Sequence, residues 1–269
     1  MTDSTTQPED VEDEWHSYEE FAMGIDTYRS PNVSLAGTTL KLTLNDGTSI
    51  SLDFDDSQAT WSADGSLGVA VGTKDPYDAV APRDDIVFVN LALTSREREA
   101  VTIVYSTRTH RALVTHSVIA AEAVDDTPQV GQTFWSAVTD GGKVSGDEPG
   151  PSRDLIGKRN LYRYSPQHLY EHFYVSSRRY AWQCIEGVQR GHGDMDLSTV
   201  WKFEDGLYLF CFREFRIAVA SVWLHDLSYQ LQTNGIFLGL NSEGLSEHSR
   251  GGGHIYPLGS VSYPDVQPV

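Results

Sequence analysis

The chain is written twice. Leu35-Ala36-Gly37 returns 120 residues later as Leu155-Ile156-Gly157. At the same offset, Asp84-Asp85-Ile86-Val87-Phe88-Val89-Asn90-Leu91 lies over Glu204-Asp205-Gly206-Leu207-Tyr208-Leu209-Phe210-Cys211. Trp61 and Trp182 pair as well, one residue out of step. An internal period constrains the fold more than any local pattern, because each copy must form a structural unit of the same kind. The 269 residues leave each copy the length of an ordinary domain.

Within a copy the pattern is alternation. Leu40, Leu42 and Leu44 alternate with Thr39, Lys41 and Thr43, and Ile50, Leu52 and Phe54 alternate on the return. Between them Asn45-Asp46-Gly47-Thr48 is a hairpin turn, since Asp-Gly accepts the positive φ angles such turns need. Val87 to Leu93, Val101 to Tyr105 and Leu113 to Ile119 continue the series with no long helical period between them. The second copy carries similar runs from Asn160 to Leu238. Short, regularly spaced strands predict an all-β chain of two tandem antiparallel β-barrels.

The expected boundaries follow from composition. Residues 1–32 are an acidic flexible tail and a short N-terminal segment, in which Trp15, Tyr18 and Phe21 share one side of a turn that could plug a barrel end. Residues 33–124 form the first barrel, 125–154 a Gly-, Pro- and charge-rich linker region, 155–240 the second barrel, and 241–269 a Gly/Ser/Pro-rich tail.

A formal charge of −18 repels nucleic acid and anionic membrane, so neither is an expected partner. No apolar run approaches the roughly 20 residues of a membrane span. Met1 to Glu20 carries eight acids and no Lys or Arg, the opposite of a signal or transit peptide. Cys184 and Cys211 fall inside strand-like runs and read as free, buried thiols of a reducing cytoplasm. The expected partner is a small-molecule ligand, and a homodimer is compatible with the pattern.

In a small barrel every second residue points inward. The first copy marks that face by its apolar residues: Leu40, Leu42, Leu44, Ile50, Leu52, Phe54, Val87, Val89, Leu91 and Leu93. At the offset of 120 these become Asn160, Tyr162, Tyr164, Tyr170, His172, Tyr174, Leu207, Leu209, Cys211 and Arg213. A buried polar side chain left unpaired costs about 1–3 kcal/mol. Such a set must be satisfied internally, by water or by a ligand, or else lie on the barrel's outside. Barrel mouths with convergent polar groups are usual binding sites.

Other constellations carry less. His168-Leu169-Tyr170-Glu171-His172 matches an inverted zinc-protease pattern that requires a helix. On a strand the two histidines stand about 13 Å apart and cannot share a metal. His192, Asp194 and Asp196 flank a Gly-rich turn that reads as a loop or metal site, or as a solvated turn. Tyr180, Trp182, Trp201 and Trp223 are core or ligand cage. No phosphate loop, nucleophile elbow or dinucleotide fingerprint is present, and neither cofactor nor metal is expected.

Leu155 to Pro166 (LIGKRNLYRYSP), Tyr170-Glu171-His172, Arg179 to Cys184 and Phe212-Arg213-Glu214 resemble the C-terminal domain of the molybdenum cofactor biosynthesis protein F (MoaF) family. Leu35 to Leu40 and Asn45-Asp46-Gly47 resemble its N-terminal domain. The resemblance implies two lipocalin- or calycin-like barrels, and the family's name implies a role near molybdopterin synthesis. The leading functional reading is a cofactor-free lyase or isomerase acting on a small aromatic or terpenoid metabolite. His172 would move the proton, Tyr162, Tyr164, Tyr170 and Tyr174 would donate to an oxyanion, and Arg213 would hold an anionic group. Tyr180 and Trp182 would wall the pocket, with Trp201 and Glu214 as further ligand contacts. The competing readings are a non-catalytic binder or accessory protein of molybdenum cofactor biosynthesis, and an interaction module with its tyrosines outside.

Overall fold

A computed structural model describes residues 17–269. The acidic tail and Trp15 lie outside the described residues. Eight antiparallel strands form the first barrel in sequence order: β1 (Thr39–Leu44), β2 (Ser49–Phe54), β3 (Gln58–Ala63), β4 (Val69–Arg83), β5 (Ile86–Ala92), β6 (Glu99–Ser106), β7 (Arg111–Ile119) and β8 (Val130–Thr139). Pairing of β8 with β1 closes it. The short β9 (Gly150–Pro151) then lies against the second barrel. That barrel comprises β10 (Lys158–Ser165), β11 (His168–Tyr174), β12 (Arg179–Glu186), β13 (Gly193–Glu204), β14 (Leu207–Arg213), β15 (Val219–Asp226), β16 (Gln232–Leu240) and β17 (Ser246–Ser260). It closes through β17 with β10 and β12 with β13.

The all-β double barrel predicted from the repeat is the fold observed. Both copies open on the same turn. Thr38 N donates to Leu35 O and Gly37 N to Phe54 O, and in the second copy Lys158 N donates to Leu155 O and Gly157 N to Tyr174 O. Inward alternation fills the first barrel with Leu42, Leu52, Trp61, Val89, Leu91 and Ile103, all essentially without solvent contact.

Three expected boundaries change. The strand β8 occupies the first half of the presumed linker, and β17 occupies most of the presumed tail. β17 carries Gly251-Gly252-Gly253 of that presumed tail, and the glycines are what close packing demands. A Cβ on Gly252 would meet Arg29 Cα at 2.4 Å, and one on Gly253 would meet Arg163 O at 2.3 Å. Third, the chain before the first barrel belongs to the second. Ser17 caps the short helix α1 (Tyr18–Ala22) reciprocally with Glu20. Tyr18, Phe21 and Ile25 then enter the second barrel's core, with Tyr18 Oη donating to Ser249 Oγ at 2.7 Å.

The barrels pack outer face to outer face. Ile86, Phe88, Val104 and Leu113 meet Leu207, Leu209, Cys211 and Leu224 in one apolar layer. Arg83 spans its edge to Glu204 and Asp226 at 2.6 and 2.7 Å. Among the described residues no helix is long and apolar enough to cross a membrane.

Candidate functional site

The second barrel's interior begins as the offset predicts. Asn160, Tyr162 and Tyr164 on β10 and Tyr170, His172 and Tyr174 on β11 are all buried, and the tyrosines pack in one core. Then the register slips. The β2–β3 turn spans residues 55–57, whereas the β11–β12 turn spans 175–178 and is one residue longer. A slip of one residue exchanges the two faces of a strand. From there the offset is 121, which is why Trp61 and Trp182 stood one residue out of step. On β14 and just beyond it the inward set is therefore Tyr208, Phe210, Phe212 and Glu214.

Two expected site residues move out as a result. Arg213 faces the first barrel, donating to Gln132 Oε1 at 3.0 Å and Thr199 Oγ1 at 3.1 Å. Trp201 stacks on Phe134 between the barrels, with ring centroids 5.8 Å apart. Neither reaches the interior.

At the corrected offset one hydrogen-bonded device is duplicated. Trp61 Nε1 donates to Asp75 Oδ2 at 2.8 Å, and Trp182 Nε1 donates to Asp196 Oδ2 at 2.8 Å. Thr94 N donates to Asp75 Oδ1, and Phe215 N donates to Asp196 Oδ1. Asp196 is thus a structural carboxylate of the repeat rather than part of a metal turn. Asp194 pairs with Arg216 at 3.0 Å. Among the described residues no group of three or more His, Cys, Asp or Glu could hold a metal ion. The H-x-x-E-H sequence lies on strand β11, not on a helix.

Beside that device the copies part. Where the first barrel has buried Leu93, the second has Glu214, 8 % exposed and lining a cavity. The cavity measures about 40 Å³ for water-sized solvent, room for roughly three waters. Tyr164, Tyr170, Tyr180, Trp182, Phe212 and Trp223 form its walls, and Phe21 and Ile25 line it from the segment that precedes the first barrel. Tyr170 Oη donates to Gln189 Oε1 at 2.9 Å, which holds that ring in place.

Burial sets the electrostatics. Glu214 is pushed well above the usual carboxyl range by burial, then by the negative charges of Asp196 and Asp194. Burial lifts Asp196 to about 6, against the Trp182 hydrogen bond. Burial depresses His172 to about 3, so the imidazole is neutral at pH 7, and His225 lies well below its usual value for the same reason. His172 Nδ1 and Trp223 Nε1 are buried with no hydrogen-bond partner among the described residues.

Of the expected residues, the fold brings His172, Tyr170, Tyr164, Tyr180, Trp182 and Glu214 to one cavity. Tyr162 and Tyr174 lie beneath it in the packed floor, hydroxyl to hydroxyl at 2.6 Å, with Asn160 Nδ2 donating to Tyr162. Phe212, Phe237 and Gln189 were missed. The Trp61/Trp182 mismatch was the signal that would have found Phe212.

Known proteins fit this construction. Residues 13–121 match the family model of the MoaF N-terminal domain, and residues 149–261 match that of the MoaF C-terminal domain. The protein MoaF of Klebsiella aerogenes is 30% identical over 206 residues, which cover 71% of this chain and 74% of that one. The chain belongs to the MoaF family. Both family domains map onto the two barrels, and the second takes in the cavity walls and β17. A solved structure from Burkholderia vietnamiensis, named as a beta-lactamase, is similar at 14% identity and a TM-score of 0.33, over 39% of this chain and 95% of that one. That likeness is too distant to bear on fold or function.

Proposed function

We propose that the second barrel of this MoaF-family chain binds a small molecule and that the first barrel is its structural counterpart. The observation that carries the reading is the exchange of Leu93 for Glu214 beside an otherwise duplicated tryptophan–aspartate bond. An aliphatic filler has become a carboxyl facing a cavity. A buried polar group without a partner is destabilising, and the first copy already holds the better-packed solution. His172 and Trp223, which line the same cavity, each carry a buried nitrogen with no hydrogen-bond partner among the described residues, and this supports the reading. The walls suit a ligand with an apolar body, aromatic or terpenoid in type.

Trp182 and Trp223 report on the cavity directly. Some members of a panel of small aromatic and terpenoid compounds should change tryptophan emission. Phe212→Trp, which fills the cavity, should abolish that response. A response that survives the filled cavity would put the ligand elsewhere and end the assignment.

Cofactor-free lyase or isomerase chemistry is the second reading, and Glu214 is what favours it. A carboxyl that burial raises well above its usual range can act as a general acid or base. The Tyr164 and Tyr180 hydroxyls would donate to a developing oxyanion. His172, near 3, is too weak a base to be the principal proton carrier. Ligands found in the panel should then exchange a carbon-bound hydrogen in D2O, read by NMR, and Glu214→Gln should stop the exchange. Binding without exchange leaves a carrier.

A further inference from the structure

We propose that the ligand of the second barrel is a small organic cation, with its ammonium group seated against Glu214 inside an aromatic box. The inference rests on the reading of that barrel as a binding site. Its first ground is the cavity's charge. Among the described residues no Lys or Arg lines it, and Glu214 is its one carboxyl. The arginines around it have other partners, Arg216 pairing with Asp194 at 3.0 Å. Arg213 is bound to Gln132 and Thr199, Arg179 lies over the Phe215 ring at 5.1 Å, and Arg159 pairs with Glu171. Asp196, behind the wall, has both oxygens occupied by Trp182 and Phe215. Glu214 makes no hydrogen bond or ion pair with another described residue, and the charges that act on it are negative.

The second ground is the walls. Aromatic faces carry a negative quadrupole and attract a cation, with Trp and Tyr the better faces. Tyr164, Tyr170, Tyr180 and Phe212 stand where the first barrel has Leu44, Ile50, Ala59 and Leu91. Carboxyl and aromatic faces therefore distinguish the copies together. An anion here would meet the Glu214 carboxyl and no counter-charge. A neutral ligand would leave Glu214 unpaired unless it kept its proton. A cation answers the carboxyl and the rings at once. The cavity's about 40 Å³ suits a compact head group.

The test uses three compounds of one shape and different charge: tert-butylammonium, tert-butanol and pivalate. Each is titrated into the full chain at pH 8 and read by tryptophan fluorescence and by ligand NMR. The ammonium should bind at least tenfold more tightly than the alcohol, and pivalate should not bind. Glu214→Gln should bring the ammonium-to-alcohol ratio close to one. Glu214→Leu, which installs the first barrel's residue, serves if the glutamine variant fails to fold. Equal binding of alcohol and ammonium, or a preference that survives in both variants, overturns the cation proposal and leaves the binding site standing. No response to any of the three, in the native chain or in Phe21→Ala, which enlarges the cavity, overturns both.

Discussion

The two barrels share strand order, an opening turn and a tryptophan–aspartate bond, and they differ in what fills them. The first is packed with aliphatic side chains around Trp61. The second is packed with aromatic rings and holds His172, His225, Asp196 and Glu214 within or beside that packing. One architecture thus carries two interiors, one filled by apolar packing around a satisfied tryptophan–aspartate bond and one that retains unpaired polar groups. A duplicated fold can tolerate the second because the first, joined to it through a broad apolar layer, supplies a stable neighbour.

Acid should separate the barrels most sharply. Every fully buried histidine among the described residues (His168, His172, His192 and His225) belongs to the second half. His172 and His225 are neutral in the fold, with burial holding His172 near 3 against about 6.5 in an unfolded chain. A lowered folded value means stability that is full above pH 6.5 and drains as pH falls toward 3. The slope is about 1.4 kcal/mol per pH unit for each such histidine. Glu214 and Asp196, raised by burial, take up protons in the fold and oppose this loss down to about pH 4, the usual carboxylate range. Below that pH, chemical denaturation at stepped pH should show the second barrel losing stability first, with a shallower slope in His172→Leu. Equal acid sensitivity of both barrels would break the contrast.

Core substitutions at matched positions come next. Leu52 and His172 occupy the same place in the two copies. Leu52→Ala should cost about 2–5 kcal/mol, as a large-to-small change in a filled core. His172→Leu removes an unpartnered nitrogen and should be neutral or stabilising by about 1–3 kcal/mol at pH 7. Urea midpoints decide it, and a severe loss in His172→Leu would mean that the histidine holds the barrel together. The smallest effect should come from Arg213→Ala. It removes two hydrogen bonds between and beside the barrels, worth about 1–3 kcal/mol together. Ligand binding should be unchanged, and a binding defect would return Arg213 to the site.

Much of this was legible in the residues. The period and the alternation lead to the double barrel, and comparison of the copies leads to the tyrosines of β10 and β11. Reading further at a constant offset failed at residue 175, where one extra turn residue reversed the face of everything after it. Arg213 and Trp201 were lost to that slip, and Glu214, expected as a further ligand contact, became an interior group.

The sequence by itself determined the repeat, the strand class and which copy had diverged in character, because alternation and period are local properties that any one strand displays. Only the tertiary structure decided that Glu214 faces a cavity, that α1 closes the second barrel from a position before the first, and that three glycines form a strand. Those outcomes depend on the length of a turn and on close approach between segments more than 200 residues apart, as at Arg29 and Gly252. No local pattern records such a contact.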